Sequence, residues 1–287
     1  MISRHRHECS VRRLCDLVNV SVSGYYAWAN RQPSRRVQAN EALVLVIRRV
    51  HEAVDGRYGS PRVHAELVSL GYHCGKHRVA RLMRAHGIVG KQRKRRPGTR
   101  FNDERGKAPN LLNRQFGVAA ANQVWAADIT YLRTAEGFVY LAVVLDLYSR
   151  RVVGWAMRPR LGADLVGSAL RQALGNRRPA QGVLHHSDQD GLYACSAYYE
   201  LLTENGFVIS NSRKGNCLDN ACVESFFARL KTECLPPNRF VNRAQAEMEV
   251  FKYIEVFYNR VRRHSTLNYL SPVDFELINN QPKTTVQ

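Results

Sequence analysis

The chain has 287 residues, 45% of them hydrophobic, with a formal net charge of +19. That length accommodates one large domain or two to three modest ones of roughly 100 to 200 residues each, and the apolar content suffices for a packed core. No apolar run approaches the roughly 18 residues of a membrane helix, and the start MISRHRHECS lacks a signal peptide's apolar segment, so the sequence excludes a membrane protein and predicts a cytoplasmic one.

Seven cysteines, odd in number and without a CxxC pair, predict reduced thiols rather than a disulfide framework or a zinc site. Charge is uneven along the chain. Residues 1–100 hold 21 Lys plus Arg against 6 Asp plus Glu, which places +15 of the net charge in the first third. A polyanion is the natural partner, because each neutralised phosphate releases counterions and adds affinity independent of sequence. Solubility alone does not call for this sign, since added acid serves it as well or better.

In chain order, VRRLCDLVNVSVSGYYAW reads as two short helices. Leu14, Leu17 and Val18 give an apolar face, residues 19–21 turn the chain, and Ser21 caps a second helix carrying Tyr25, Tyr26 and Trp28. This is the outline of a helix-turn-helix, with three-helix packing that does not touch DNA as the competing reading. After the break at Pro33-Ser34-Arg35-Arg36, a helix over about 41–53 draws its core side from Leu43, Val46, Ile47 and Val50. Ser60 is placed as an N-cap and Pro61 as the first helical residue of a helix with Val63, Leu67 and Leu70 that ends at Gly71. HRVARLMRAHG then turns Val79, Leu82 and Met83 inward and Arg78, Arg81 and Arg84 outward. From Lys91 to about Arg114 periodicity lapses into a basic linker that includes Lys91, Arg93, Lys94, Arg95 and Arg96.

Strands are predicted over 124–133, 138–147 and 151–157, the last two joined at 148–150. A helix over 163–174 is closed by Gly175-Asn176, a fourth strand covers 182–186, and Ser196 caps a helix that runs to Glu204. A fifth strand covers 207–210. Val223, Phe226, Phe227 and Leu230 fall at i, i+3, i+4 and i+7, the stripe of a helix packed on a core. A tail helix over 243–258 precedes YNRVRRHSTLNYLSP.

Three acids stand out. Asp128 sits inside a strand rich in β-formers, where a carboxylate is costly unless paired or bound to metal. Asp188 ends an apolar run, and Glu224 sits at the margin of the apolar helix stripe, with Lys231 seven residues on at nearly the same angle. Carboxylates drawn from separate elements suit a site for hard divalent cations. Asp146 and Asp219 are read instead as fixing turns or caps.

Asp128 to Asp188 is a step of 60 and Asp188 to Glu224 a step of 36, and this pattern resembles the DDE transposases and integrases. The phrases NQVWAADITYL, VLDLYSRRVVGWAM, HHSD, NSRKGNCLDNACVESFFARLKTE and YNRVRRHSTLNYLSPVDF resemble, in order, the second-reading-frame transposase of the IS-three type of bacterial insertion sequence. The likeness runs from about Val11 to Phe275. Asp190 and Leu192 depart from it, since the family usually has glycine at the first position and often glutamine at the second.

The resemblance implies an α/β chain: a ribonuclease-H-like catalytic core, with a mixed five-stranded sheet and flanking helices, preceded by an all-α helix-turn-helix region. The expected division is a helix-turn-helix segment at 1–36, a second one at 37–90, a basic linker at 91–117, the core with a helical extension at 118–280, and a tail. Asp128, Asp188 and Glu224 are the implied catalytic and metal-binding triad, holding two Mg²⁺ ions for which Mn²⁺ substitutes. DNA contacts are expected from Lys231, Lys214, Arg213, Arg78, Arg81, Arg84, Lys91, Arg93, Lys94, Arg95 and Arg96. Tyr258, Asn259, His264 and Ser265 are expected to pack back on the core. The implied activity is cleavage at the ends of an insertion sequence followed by strand transfer. Its partners would be the terminal repeats, target DNA, further copies of the chain and an upstream-frame product, at a nucleoid-associated location. A DNA-binding regulator with an inert core and a structure-selective nuclease on the same fold are the alternatives.

Overall fold

A computed structural model describes residues 2–91, 108–188, 191–213, 217–236 and 239–279 of the chain. The residues divide into two compact units, Met1–Gly90 and Lys91–Gln287.

The first unit is all helical: α1 (Ile2–His5), α2 (Val11–Leu17), α3 (Val22–Ala29), α4 (Arg35–Ala53), α5 (Ser60–Ser69) and α6 (Lys76–Ala85). Serines set three of the starts, because the side-chain oxygens of Ser10, Ser21 and Ser34 accept from Arg13, Gly24 and Val37 backbone N–H groups and satisfy orphan donors of α2, α3 and α4. With Ser34 as its cap, α4 begins six residues earlier than its apolar periodicity suggests; its polar first turns are solvated and leave no periodic signal. The cap of α5 is Gly59, with Ser60 already helical, and Leu70 at its end is exposed rather than in the core. Leu43, Val44, Ile47, Val50, Val63, Leu67, Val79, Leu82 and Met83 bury between α4, α5 and α6. A smaller cluster joins Ile2, Leu14, Cys15 and Tyr25. Leu17 is exposed, as are Tyr26 and Trp28, and Cys15 takes the core position expected of Leu17.

The second unit is built on a five-stranded sheet of order β3-β2-β1-β4-β5, from β1 (Val124–Thr134), β2 (Gly137–Asp146), β3 (Val152–Arg158), β4 (Leu184–Ser187) and β5 (Val208–Asn211). The first three strands are antiparallel, and β4 and β5 join parallel to β1. Helix α7 (Ala163–Arg177) crosses from β3 to β4 and α8 (Ser196–Glu204) from β4 to β5. Period-two alternation sends Trp125 and Ala127 into one apolar layer with Leu165, Ala169, Leu170, Tyr198 and Leu202 of those helices. Close packing there depends on Gly154, where an added Cβ would lie 2.2 Å from the carbonyl oxygen of Ala169.

The expected stop of α7 at Gly175-Asn176 is overridden. Asn176 donates to the Val153 carbonyl and Arg177 is bonded to Glu276 and Asp146, so tertiary contacts carry the helix on to Arg178 in the left-handed region. Ser196 is the first residue of α8 rather than its cap; Cys195 occupies that position without a side-chain bond.

After a 3₁₀ turn at Cys217–Asn220 come α9 (Ala221–Glu233), α10 (Arg243–Phe251) and α11 (Pro272–Asn279). The predicted stripe of α9, Val223, Phe226, Phe227 and Leu230, is buried, each side chain contributing roughly 1.5–3 kcal/mol relative to exposure. Glu233 at its end is also buried, with both carboxylate oxygens 2.7 Å from the buried guanidinium of Arg262 and a further bond from the Tyr253 hydroxyl. The tail helix widens into a π-helix over Lys252–Tyr258, where the Asn259 N–H reaches back five residues to the Ile254 carbonyl. Asn259 then bonds both the N–H and the carbonyl of Val152, and the Tyr258 hydroxyl donates to the Arg150 carbonyl. Tyr258, Asn259 and His264 therefore pack on the core as expected, but Ser265 is exposed, because it opens a surface 3₁₀ turn. No helix among the described residues is long and apolar enough to cross a membrane.

Candidate active site and nucleic-acid surface

β1 and β4 run side by side, with Val124–Ala127 in register with Leu184–Ser187. Asp128 and Asp188 are each the next residue along, on neighbouring chains about 4.8 Å apart. Asp128 lies on the sheet face opposite Trp125 and Ala127 by strand alternation. Its Oδ1 accepts from the Ile129 N–H at 2.7 Å, and Asn211 of β5 donates to the Asp188 carbonyl and to Ser187 Oγ.

The start of α9 is tied to the same place. Asn220 donates from its side-chain amide to the Ala127 carbonyl at 3.1 Å, one residue before Asp128. Glu224 follows Asn220 by four residues, about one helical turn, and so lies on the same side of α9. Glu224 is exposed, yet the protein around its base desolvates the carboxyl and raises its pKa above the ordinary value. Lys231, two turns further on, places its ammonium 5.1 Å from the centroid of the Tyr131 ring on β1. Among the described residues no three His, Cys, Asp or Glu side chains converge closely enough to hold a metal ion. The donor set nonetheless consists of carboxylates alone, the chemistry that hard cations such as Mg²⁺ select.

The other two aspartates are structural. Asp146 is fully buried and accepts from the backbone of Asn122 and Tyr148 and from Arg177; burial outweighs these bonds and pushes its carboxyl up. Asp219, also without exposed surface, accepts from Arg213, Arg114 and Asn110. The Arg213 bonds lead in holding its carboxyl far below the usual range. Arg213 is thus engaged inside the core unit. Lys91 places Nζ 3.5 Å from the Glu233 carbonyl oxygen. Lys214 and the run of Arg93, Lys94, Arg95 and Arg96 lie outside the described residues. Sequence reasoning missed Asn211 and Asn220; the Asp219-Asn220 pair just before an apolar helical period was the available signal for the latter.

In the first unit, a cleft of about 470 Å³ is lined by Arg36, Ala39, His77, Arg78 and Arg81. Arg78 is held by a 2.9 Å bond from Nε to Asn40 Oδ1, while Arg81 and Arg84 are exposed on the outer side of α6.

Comparison with known families matches the profile of an HTH-like domain over residues 38–96 and those of the integrase core domain over 118–217 and 205–272. The chain is 41% identical over 278 residues to transposase InsF for insertion sequence IS3A of Escherichia coli (strain K12), covering 96% of each chain. It belongs to the IS3-family transposases. A 31 kDa protein of insertion element IS600 from Shigella sonnei is 44% identical over 263 residues, 91% of this chain and 97% of that one. Solved structures to which the chain is similar include the simian T-cell lymphotropic virus intasome in complex with PP2A regulatory subunit B56 gamma, with TM-score 0.47 and 19% identity, covering 77% of this chain and 75% of that one. Another is the HTLV-2 integrase catalytic core domain in complex with magnesium, with TM-score 0.39 and 14% identity, covering 55% and 97%. The transposase is therefore a DNA-processing enzyme with an integrase core domain and, ahead of it, a helix-turn-helix-like DNA-binding region.

Proposed function

We propose that this transposase cuts the ends of its insertion sequence and joins them to target DNA, with Asp128, Asp188 and Glu224 as the catalytic carboxylates. The observation that carries the reading is the meeting of three elements at one point: β1 and β4 in parallel register, and α9 tied by Asn220 to the carbonyl just before Asp128.

Asp128, Asp188 and Glu224 would hold the divalent ions. When bound, such ions supply activation of a water or a 3′-hydroxyl and charge stabilisation at the leaving oxygen. The chain itself does the positioning. Strand register fixes Asp128 beside Asp188, and the buried stripe of α9 holds Glu224 at the rim. Lys231, on the same side of the helix, would contact a phosphate near the scissile bond, so its loss should weaken DNA placement more than metal binding. Arg78, Arg81 and Arg84, with Arg36 and His77 around the cleft, would lie along DNA phosphates. The active form is read as a multimer on paired ends, with an upstream-frame product as fusion or partner.

The test is cleavage and strand transfer on labelled DNA carrying the terminal repeats with Mg²⁺, comparing the native chain with Glu224→Gln. Metal-dependent joined products that disappear in the variant support the reading. Equal product from both, in the chain alone or fused to the upstream product, would overturn it.

A further inference from the structure

Asp219 is more heavily bonded than turn formation requires. Its Oδ1 accepts from Arg114 Nε and Arg213 Nη2, both at 2.8 Å. Its Oδ2 accepts from Asn110 Nδ2 at 2.9 Å and from the Arg213 backbone N–H and Nε at 3.0 and 2.9 Å. Both oxygens are filled by donors, so this carboxylate has no lone pair left to offer a cation. The donors come from two distant stretches: one ahead of β1, the other just past β5. The neighbouring residue, Asn220, spans from the start of α9 to the Ala127 carbonyl.

We propose that Asp219 is a positioning residue for Glu224. By gathering Asn110, Arg114 and Arg213 it pins the 3₁₀ turn that opens α9, and Asn220 carries that fixed point across to β1. The turn and angle at which Glu224 leaves the helix toward Asp128 are thereby set. The stretch at 108–114, ahead of the first strand, is part of the site's scaffold on this view. The inference rests on the reading of Glu224 as the third carboxylate.

The scale of the effect follows from the geometry of metal and substrate clamps, in which a misplacement of about 1 Å costs on the order of a hundredfold in rate. The experiment uses the full chain bound to its end DNA and measures Mn²⁺ binding from the loss of the free-ion electron paramagnetic resonance signal. Cleavage is followed as a function of Mn²⁺ in the same samples, and DNA affinity by fluorescence anisotropy. Asp219→Asn and Asn220→Ala should each raise the Mn²⁺ concentration for half-saturation about tenfold or more while leaving DNA affinity within about twofold. The double variant should be no worse than the poorer single one, since the two residues act in series. Arg114→Ala, which keeps the carboxylate and removes one donor, should show a smaller shift in the same direction and carries the test if Asp219→Asn does not fold. Leu165→Ala, on the far side of the sheet, controls for destabilisation alone and should leave Mn²⁺ binding unchanged.

Native Mn²⁺ binding in Asp219→Asn and Asn220→Ala, beside a loss of binding in Glu224→Gln, would overturn the inference and leave the site reading standing. Native binding in Glu224→Gln would remove the site reading, and this inference with it.

Discussion

Glu233→Gln tests how the far end of α9 is held. The pair it breaks is almost dry, with side-chain exposures of 2% for Arg262 and 4% for Glu233. The substitution keeps shape and volume but leaves the guanidinium without its counter-charge, and disturbs the bond from Tyr253. Removing one partner of a buried ion pair costs about 3–5 kcal/mol. For a unit of this size each kcal/mol moves the thermal midpoint by about 2–4 °C, so the core's transition should fall by roughly 6–20 °C. Near-ultraviolet circular dichroism reports it through Trp125 and Trp155, which lie in this unit. The double variant Glu233→Leu with Arg262→Met should recover most of the loss, because an apolar pair carries no desolvation penalty. A single-variant loss under about 1 kcal/mol, or a double variant less stable than the single, would refute the argument that charge compensation rather than packing is at stake.

Gly154→Ala should destabilise the core unit by about 1–3 kcal/mol through overpacking against α7, read as a lower denaturant midpoint; an unchanged midpoint would mean that β3 and α7 separate freely. His185 and His186 are buried, and desolvation lowers their pKa values to about 3 and about 4. Because the unfolded chain binds protons that the folded one refuses, stability is full above about pH 6.5 and falls with acid through this window, by about 1.4 kcal/mol per pH unit for each histidine. Denaturant titrations between pH 6.5 and 5 should show that slope, reduced by about half in His186→Asn; a flat profile would contradict it. Replacing Arg78, Arg81 and Arg84 together by Ala should lower the slope of log affinity against log salt by about 2–3, measured by anisotropy on duplex DNA, and an unchanged slope would take α6 off the DNA.

The order of strands and helices in the core was legible because each strand carries its own β-formers and most of the connections carry a Gly, Asn or Asp. The acids proposed as catalytic stand out in the sequence through spacing and phrase, and the fold has Asp128 within a strand, Asp188 just past a strand end and Glu224 in the first turn of a helix. What was not legible depends on partners distant in sequence. Nothing local distinguishes Glu233 from a solvated helix glutamate; its counter-charge is 29 residues away and becomes visible only when the tail folds back. The passage of α7 through Gly175-Asn176 follows from bonds to Val153, Asp146 and Glu276 that a window of neighbours does not contain. Arg213 is expected from the sequence to contact DNA, and only the fold shows its guanidinium engaged by Asp219.

The tail's return has a consequence for synthesis. A ribosome that has just added Lys231 has supplied Asp128, Asp188, Glu224 and every strand of the sheet, but not Arg262, Asn259 or Glu276, which complete the ends of α9, β3 and α7. At about 5–20 residues per second, some seconds separate Glu224 from the residues that lock its helix. Through that interval α9 lacks the guanidinium that neutralises Glu233, so the seating of the helix waits on residues that follow it in the chain. Truncated products, which lack that stretch, would hold all the acids in a core that is not closed around them.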